Sequence, residues 1–297
     1  MLMNNVNLAQ LRAFLAVIDE GGFGAASDAL RISQSAVSHA VAALERAVGC
    51  RVLVRQGRPR PTAFGERILG HARTAVSATD SITELAARRD GLPTGTLRLA
   101  APPTVCQGLL PELLTGWRHD YPQLAVHVLE GEDDEVADWL AGAAVDVAVL
   151  VDPPGGEGVR IGSDVFQALL PHDHPLAGQD VIDVTDLDDD PFLLSCGGCE
   201  RHLREVYRLG RAQLNPAHRI REMGTLLAMV AAGMGVTVVP GLAAAMLDPR
   251  LVLVPLRQRV TRELVLTGPP GRPWHPAVTA LVEAVAERSR AQARSGG

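Results

Sequence analysis

The sequence predicts an α/β protein headed by an all-helical segment, and three observations carry that prediction. Residues 25–46 read as two short helices around a sharp turn, and residues 62–89 as one long helix. From Gly95 onward, apolar runs of strand length alternate with helical runs, the βαβα punctuation of a parallel sheet covered by helices. A length of 297 residues allows two or three domains with real cores, and 47% hydrophobic against 21% charged residues excludes a disordered chain.

Asn7 can cap a first helix, with Gln10 placed to bond back to it. Leu8, Leu11, Phe14, Leu15 and Ile18 form the apolar stripe of that helix, Gly21-Gly22 ends it, and Phe23 anchors the turn that follows. Ala25, Ala26, Ala29 and Leu30 mark one side of the second helix. The third starts at Ser33, whose hydroxyl can accept a hydrogen bond from a free N–H of the first turn. Ala36, Val37, Ala40, Val41 and Leu44 are expected to face inward at three- and four-residue spacing. The other face opens with Gln34, Ser35, Ser38 and His39, and compact donors and acceptors near a helix N-terminus are what reading base edges requires. The same local pattern also fits an ordinary helical hairpin in a small bundle.

After Gly49 a strand is expected over 51–54, and Arg55, Arg58 and Arg60 crowd the loop beyond it, suited to phosphate or minor-groove contact. Net charge is −6, yet residues 1–62 hold seven Arg against four Asp or Glu, so the basic balance is concentrated at one end. Thr62 caps the long helix, about 40 Å at 1.5 Å per residue. Its stripe of Ile68, Ala72, Ala75, Thr79, Ile82 and Ala86 cannot be buried by the helix alone.

Beyond Asp90-Gly91-Leu92-Pro93, strands are expected at 96–101, 124–130 and 146–151 with helices at 109–117 and 136–141. A second set has strands at 165–170, 192–195, 219–222, 236–239, 251–256 and 263–267. Its helices are expected at 201–212, from a Thr225 cap to 232, and over 277–290. Ligands of open α/β sheets bind beyond the carboxyl ends of strands, near helix N-termini. Those ends make Thr104, Val105, Glu130, Ser195, Cys196 and Thr225 the candidate ligand contacts. Thr104, Ser195 and Thr225 lead, as hydroxyls at helix starts that could cap, bind or do both; no arginine stands out for a carboxylate.

Of four cysteines, Cys50 reads as a small buried residue of the head, Cys106 lies at one lip of the expected cleft, and Cys196-Gly-Gly-Cys199 forms the other. The Cys106, Cys196 and Cys199 thiols are open to a structural or ligand-lining role, to redox sensing, or, for the pair with His202, to part of a soft-metal site. A lone CxxC is a weak signal, and a permanent disulfide is not expected.

The stretch from NLAQLRAFLAVIDEGG through QSAVSHAVAALER to RVLVR resembles, almost position for position, the winged helix-turn-helix of LysR-type transcriptional regulators. HDHPLAG with DVTDL, and MVAAGMGVTVVPGLAA, resemble later parts of the same family, so the likeness spans nearly all of the chain. The resemblance implies a winged helix-turn-helix at 1–61 and a linker helix at 62–90 that pairs with its copy in a second subunit. It implies an effector-binding domain at 91–297, like a periplasmic binding protein with two α/β subdomains. Subdomain one would be 94–164 plus 268–297, and subdomain two 165–267, joined by crossing strands at 161–167 and 263–268. The implied function is regulation of transcription by a homodimer or homotetramer. It would grip an interrupted palindrome of double-stranded DNA through Ser33, Gln34, Ser35, Ser38, His39, Arg55, Arg58 and Arg60, under control of a small-molecule effector. Family members more often carry arginine, lysine or glutamine where His39 stands.

No cofactor, metal or catalytic set is expected. The longest uncharged run, 226–247, is broken by Gly233, Gly235, Pro240 and Gly241, so no membrane span and a cytoplasmic location are expected. The alternative is a thiol redox-sensing regulator, or a thiol oxidoreductase, using Cys196 and Cys199. The enzyme is disfavoured because the pair lies deep in the second subdomain, far from the start of a thioredoxin-like βαβ unit.

Overall fold

The computed structural model describes residues 5–54, 56–87 and 92–295; Arg55 and the predicted end of the long helix at 88–89 lie outside the described residues. The chain divides into two compact units, with the change falling between Leu92 and Pro93.

The first unit holds α1 (Leu8–Asp19), α2 (Phe23–Leu30), α3 (Gln34–Val48), a hairpin of β1 (Leu53–Val54) and β2 (Arg60–Pro61), and α4 (Ala63–Ala87). Asn7 and Gln10 form the expected reciprocal capping box at the start of α1. The turn from α2 to α3 is made by Arg31 in the left-handed region at φ 55°, an uncommon conformation for a residue with a Cβ. Phe14, Val17, Ala26, Val37, Val41 and Leu44 are fully buried and form the centre of the core. Two expectations shift by part of a turn: Leu8, Leu11 and Ile18 lie at the margin of the buried face of α1, and Ala36 of α3 is exposed. An alanine at the edge of a stripe reads as apolar whichever way it points, so pattern alone could not place it.

The N-terminal half of α4 is not an orphan stripe. Ala72 is buried in the head core, and Phe64, Ile68, Leu69 and Val76 pack against it. Thr62 caps the helix through the Gly65 N–H at 3.0 Å, and its own hydroxyl donates to the Arg51 carbonyl at 2.8 Å. Farther along, Ile82 and Leu85 are exposed.

The second unit begins with β3 (Gly95–Ala101), α5 (Pro103–Gly108), α6 (Leu110–Asp120), β4 (Leu124–Glu130), α7 (Asp133–Ala141) and β5 (Val147–Val151). The long strand β6 (Val159–Pro171) leads to β7 (Phe192–Ser195), α8 (Glu200–Gly210), β8 (Pro216–Ile220), α9 (Met223–Ala231) and β9 (Thr237–Pro240). Then come β10 (Leu251–Pro255), β11 (Thr261–Thr267) and α10 (Pro276–Ser295). β3 runs parallel to β4 and β5, and β7 parallel to β8, as the alternation predicts. β11 pairs antiparallel with both β5 and β6, and β6 antiparallel with β9 and β10, so the sheet is mixed. Two large cores result, one under β3, β5, α6 and α10 and one under β6, β7, α8 and α9, and β6 with β11 cross between them.

The helix expected over 109–117 is α6, and a further short helix that was not expected precedes it, because the six residues Pro103-Thr-Val-Cys-Gln-Gly are too few to show periodicity. The cap expected at Thr225 is a correction: α9 starts at Met223 after an extended Glu222, and Thr225 is the helix's third residue, exposed and capping nothing. The 3-10 turns Val184–Leu187 and Gly241–Met246 were not foreseen. Among the described residues no helix is long and apolar enough to cross a membrane.

Candidate functional site

In the first unit, the polar start of α3 stands clear of the core. Ser33 caps the helix through the Ala36 N–H at 3.2 Å and shares a 2.9 Å hydrogen bond with the Ser35 hydroxyl. Ser33, Gln34, Ser35 and His39 are exposed and Ser38 is half-buried, while Val37, Val41 and Leu44 on the opposite face are sealed. The helix is therefore held by its apolar side and presents only short donors and acceptors. In the hairpin, Arg60 lies opposite Val54 in the register, and Arg58 folds back so that a Cβ on Gly21 would lie 2.9 Å from its guanidinium. Gly21 sits at φ 75°, which a side chain would strain in any case. The head thus brings five of the predicted contacts onto one helix end, with Arg58 and Arg60 on the adjoining hairpin.

In the second unit a cavity of about 490 Å³ lies between the two cores. One wall is Glu132, Asp133, Asp134, Ala137 and the segment Leu150–Pro154; the other is Cys196, Gly197, Gly198, Arg201 and Arg221. The walls are tied together. The Gly198 N–H donates to Glu132 Oε2 at 3.0 Å, Arg201 Nη2 to the Val151 carbonyl at 2.9 Å and to Asp152 Oδ2 at 3.3 Å, and His202 Nε2 meets Asp152 Oδ2 at 2.7 Å. Arg221 Nη2 pairs with Glu135 Oε1 at 2.7 Å. Gly197 and Gly198 are what permit this approach: a Cβ on either would sit 2.2 Å from the carboxylate group of Glu132 or Asp133. The two glycines between the cysteines form a saddle for an acidic loop.

Behind the cavity lies a buried ion pair joining the two crossing strands. Arg262 of β11, 2% exposed, donates to Asp164 Oδ2 of β6 at 2.9 Å and to the Thr104 hydroxyl at 2.7 Å. Asp164 also accepts from the Leu242 N–H at 3.1 Å. The Phe166 ring carries the Arg262 guanidinium at 5.9 Å and stacks on His202 at 4.7 Å. Burial drives the His202 pKa down, against its Asp152 hydrogen bond, so the ring rests neutral. A neutral ring beside a carboxylate donates from Nε2 and leaves Nδ1 as an acceptor, and among the described residues that atom has no partner.

Of the predicted ligand contacts, only Cys196 lines the cavity. Thr104 is occupied by Arg262, Val105 is core, Ser195 is buried and bonded to the Cys199 thiol, and Glu130 and Thr225 are exposed elsewhere. No arginine stood out for a carboxylate in the sequence; Arg201 and Arg221 line the cavity and Arg262 lies close by, each of them engaged by protein acceptors. Arg262 was findable, since Val260, Arg262, Leu264 and Leu266 occupy the inward positions of one strand, and a charge in that register announces a buried partner. Arg201 and Arg221 carry no such signal.

All four cysteines are free thiols. Cys50 is exposed, correcting its expected burial. Burial pushes Cys199 up to about 12, against the charge of Arg262, and Cys106 up to about 12 with help from Glu130. Among the described residues no group of three or more His, Cys, Asp or Glu could hold a metal ion, which leaves the CxxC–His202 metal set without support.

The comparisons with known proteins follow this division. Residues 8–66 match the bacterial regulatory helix-turn-helix protein, lysR family, and residues 90–290 match the LysR substrate binding domain. A probable hydrogen peroxide-inducible genes activator of Mycobacterium leprae is 34% identical over 244 residues, 80% of this chain and 78% of that protein. An OxyR of Corynebacterium glutamicum is 26% identical with a TM-score of 0.59, covering 99% of this chain and 96% of that one. A full-length OxyR from Pseudomonas aeruginosa, 24% identical, shares the fold with a TM-score of 0.73 over 95% of this chain and 97% of its own. These relatives are regulators rather than enzymes. With a helix-turn-helix at one end and a substrate-binding domain over the rest, the chain belongs to the LysR family of transcriptional regulators.

Proposed function

We propose that this regulator reads duplex DNA through the start of α3 and is controlled by a small molecule in the cleft of its second unit. The observation that carries the first half is the polar, exposed opening of α3 set on a sealed apolar face. Ser33, Gln34, Ser35, Ser38 and His39 meet base edges and sugar-phosphate, and Arg58 and Arg60, with Arg55, hold the backbone. Two heads in a homodimer or homotetramer grip an interrupted palindrome, and the exposed Ile82 and Leu85 of α4 are the apolar surface that a second copy covers. The protein works in the cytoplasm, where its DNA is. Domain limits of 1–61, 62–90 and 91–297 follow from this reading, with subdomains of 94–164 plus 268–297 and of 165–267.

Gel shifts on operator and scrambled duplexes test it. Gln34→Ala or Ser38→Ala is expected to narrow the gap between the two duplexes by about 1–3 kcal/mol. Arg58→Ala is expected to weaken both alike and to lower the slope of log affinity against log salt by about 1. Binding untouched by all three variants would remove α3 and the hairpin from the interface.

A second reading, a regulator that senses oxidants through Cys106, Cys196 or Cys199, is favoured by the likeness to a probable hydrogen peroxide-inducible genes activator. The environments of Cys106 and Cys199 weigh against those two thiols, whereas Cys196, half-buried on the cavity lining, stays open to this reading. A thiol with a pKa of about 12 has about one part in 10⁵ as thiolate at pH 7, and the thiolate is the nucleophile. The sign is clear: reactivity of Cys106 and Cys199 rises only as pH climbs toward 12. Under native conditions at pH 7, a disulfide reagent is expected to modify Cys50 first and to reach Cys199 only on unfolding, read by mass spectrometry. Rapid native modification of Cys199 would restore the oxidant-sensing reading.

A further inference from the structure

The cavity already has a guanidinium seated in it, and that group belongs to the protein. Arg201 reaches across to the Val151 carbonyl at 2.9 Å, to Asp152 at 3.3 Å and toward Asp133 at 3.9 Å, although half of its side chain remains exposed. We propose that this acceptor set is the seat for the cationic head of the effector, an ammonium or guanidinium on a short apolar stem, and that Arg201 holds the seat when no effector is bound. The proposal rests on the cleft being the effector site.

Four observations beyond the acidic lining support it. The first is the occupied seat itself, which displays the chemistry that it accepts. The second is the supply of unmet acceptors. Among the described residues Asp133 Oδ2, on the cavity lining, is buried without a hydrogen-bond partner; so, outside that lining, is Nδ1 of His202, whose side chain is 7% exposed and whose other nitrogen is tied to Asp152. A ligand bringing an N–H donor to Asp133 would recover the cost of leaving that buried acceptor unmet. Third, among the described residues the arginines at or behind the cavity are engaged: Arg262 by Asp164 and Thr104, Arg221 by Glu135, and Arg201 as above. Among the described residues an anionic effector finds no uncommitted arginine there and meets Glu132, Asp133, Asp134 and Asp152. Burial also pushes the Glu132 and Asp133 carboxyls up, for Glu132 against the Gly198 N–H and for Asp133 against the charges of Arg262 and Arg201. Their negative charge is thus under-compensated by the protein alone. Fourth, Leu150, Pro153, Pro154 and Ala137 supply an apolar wall beside the seat, enough for a few methylenes.

Calorimetry on the full chain tests this with agmatine, which has a guanidinium and an ammonium on a four-carbon stem, and with succinate as the anion of similar size. Agmatine is expected to bind, and succinate not. Arg201→Met removes the internal competitor and is expected to tighten agmatine about tenfold, while Asp133→Asn weakens it about tenfold, the scale of one hydrogen bond to a charge. Arg201 lies on the exposed side of α8, so thermal unfolding of the variant is expected to match the parent. Agmatine that binds neither the parent nor Arg201→Met overturns the proposal. Succinate binding that Arg201→Met abolishes overturns the cationic class but keeps the cleft as the effector site. Agmatine binding unchanged by Ala137→Trp, which fills the cavity, places the ligand elsewhere and overturns the cleft reading itself.

Discussion

An Arg262→Met protein is expected to lose about 3–5 kcal/mol in the unfolding of its second unit, the cost of leaving one partner of a buried pair uncompensated. Arg262 and Asp164 are 2% and 6% exposed, so neither regains water when the other is removed. The stranded carboxylate would keep only the Leu242 N–H, and the Thr104 hydroxyl would lose its donor. All three tryptophans, Trp117, Trp139 and Trp274, lie in this unit, so urea unfolding followed by tryptophan fluorescence reports it directly. The pair costs desolvation to assemble, and removing both charges should hurt less than removing one. Arg262→Met with Asp164→Asn is therefore expected to recover more than half of the loss. A single variant within 1 kcal/mol of the parent would show that water or a neighbour reaches Asp164.

Replacing Gly65 by valine is expected to cripple the head. A Cβ at this position would lie 2.2 Å from the Val52 carbonyl oxygen, a backbone atom that cannot swing aside. Val52 also receives the Thr62 N–H at 3.0 Å, so the start of α4 and the strand before the hairpin are clamped at one spot. Forcing them apart should cost about 1–3 kcal/mol as overpacking. It should also displace Arg58 and Arg60 from α3, so operator affinity in a gel shift falls at least tenfold. Gly24→Ala is the control. It is a helical glycine whose added Cβ meets nothing within 4 Å, and gains of up to about 1 kcal/mol in helix propensity are expected there. Equal behaviour of the two variants would refute the clamp.

The parts of this protein that were legible in advance share one property: they are written in short range. The Asn7–Gln10 box, the Ser33 cap and the sealed face of α3 depend on residues three or four apart, and so the helices of the head and the polar end of α3 could be named. The strand–helix alternation likewise announced the parallel pairing of β3 with β4 and β5, and of β7 with β8. The cleft was read less well. Strand ends pointed to Thr104 and Ser195, which are indeed at helix approaches but turn inward, to Arg262 and to Cys199. The glycines of Cys196-Gly-Gly-Cys199 looked like a spacer between thiols, whereas they make room for Glu132 and Asp133, 66 residues away in the case of the Gly198–Glu132 hydrogen bond.

From the sequence alone came the family, the two-part architecture and the polar, exposed helix end proposed to face DNA, because local periodicity and capping are decided by neighbours along the chain. Only the tertiary structure decided which arginines face the cavity, that one of them sits in the opposing acidic wall, and that of the two CxxC thiols Cys199 is buried while Cys196 lines the cavity. Those outcomes depend on burial and on charges brought together from distant segments, and the strength of an electrostatic contact is set by the medium that the whole fold builds around it.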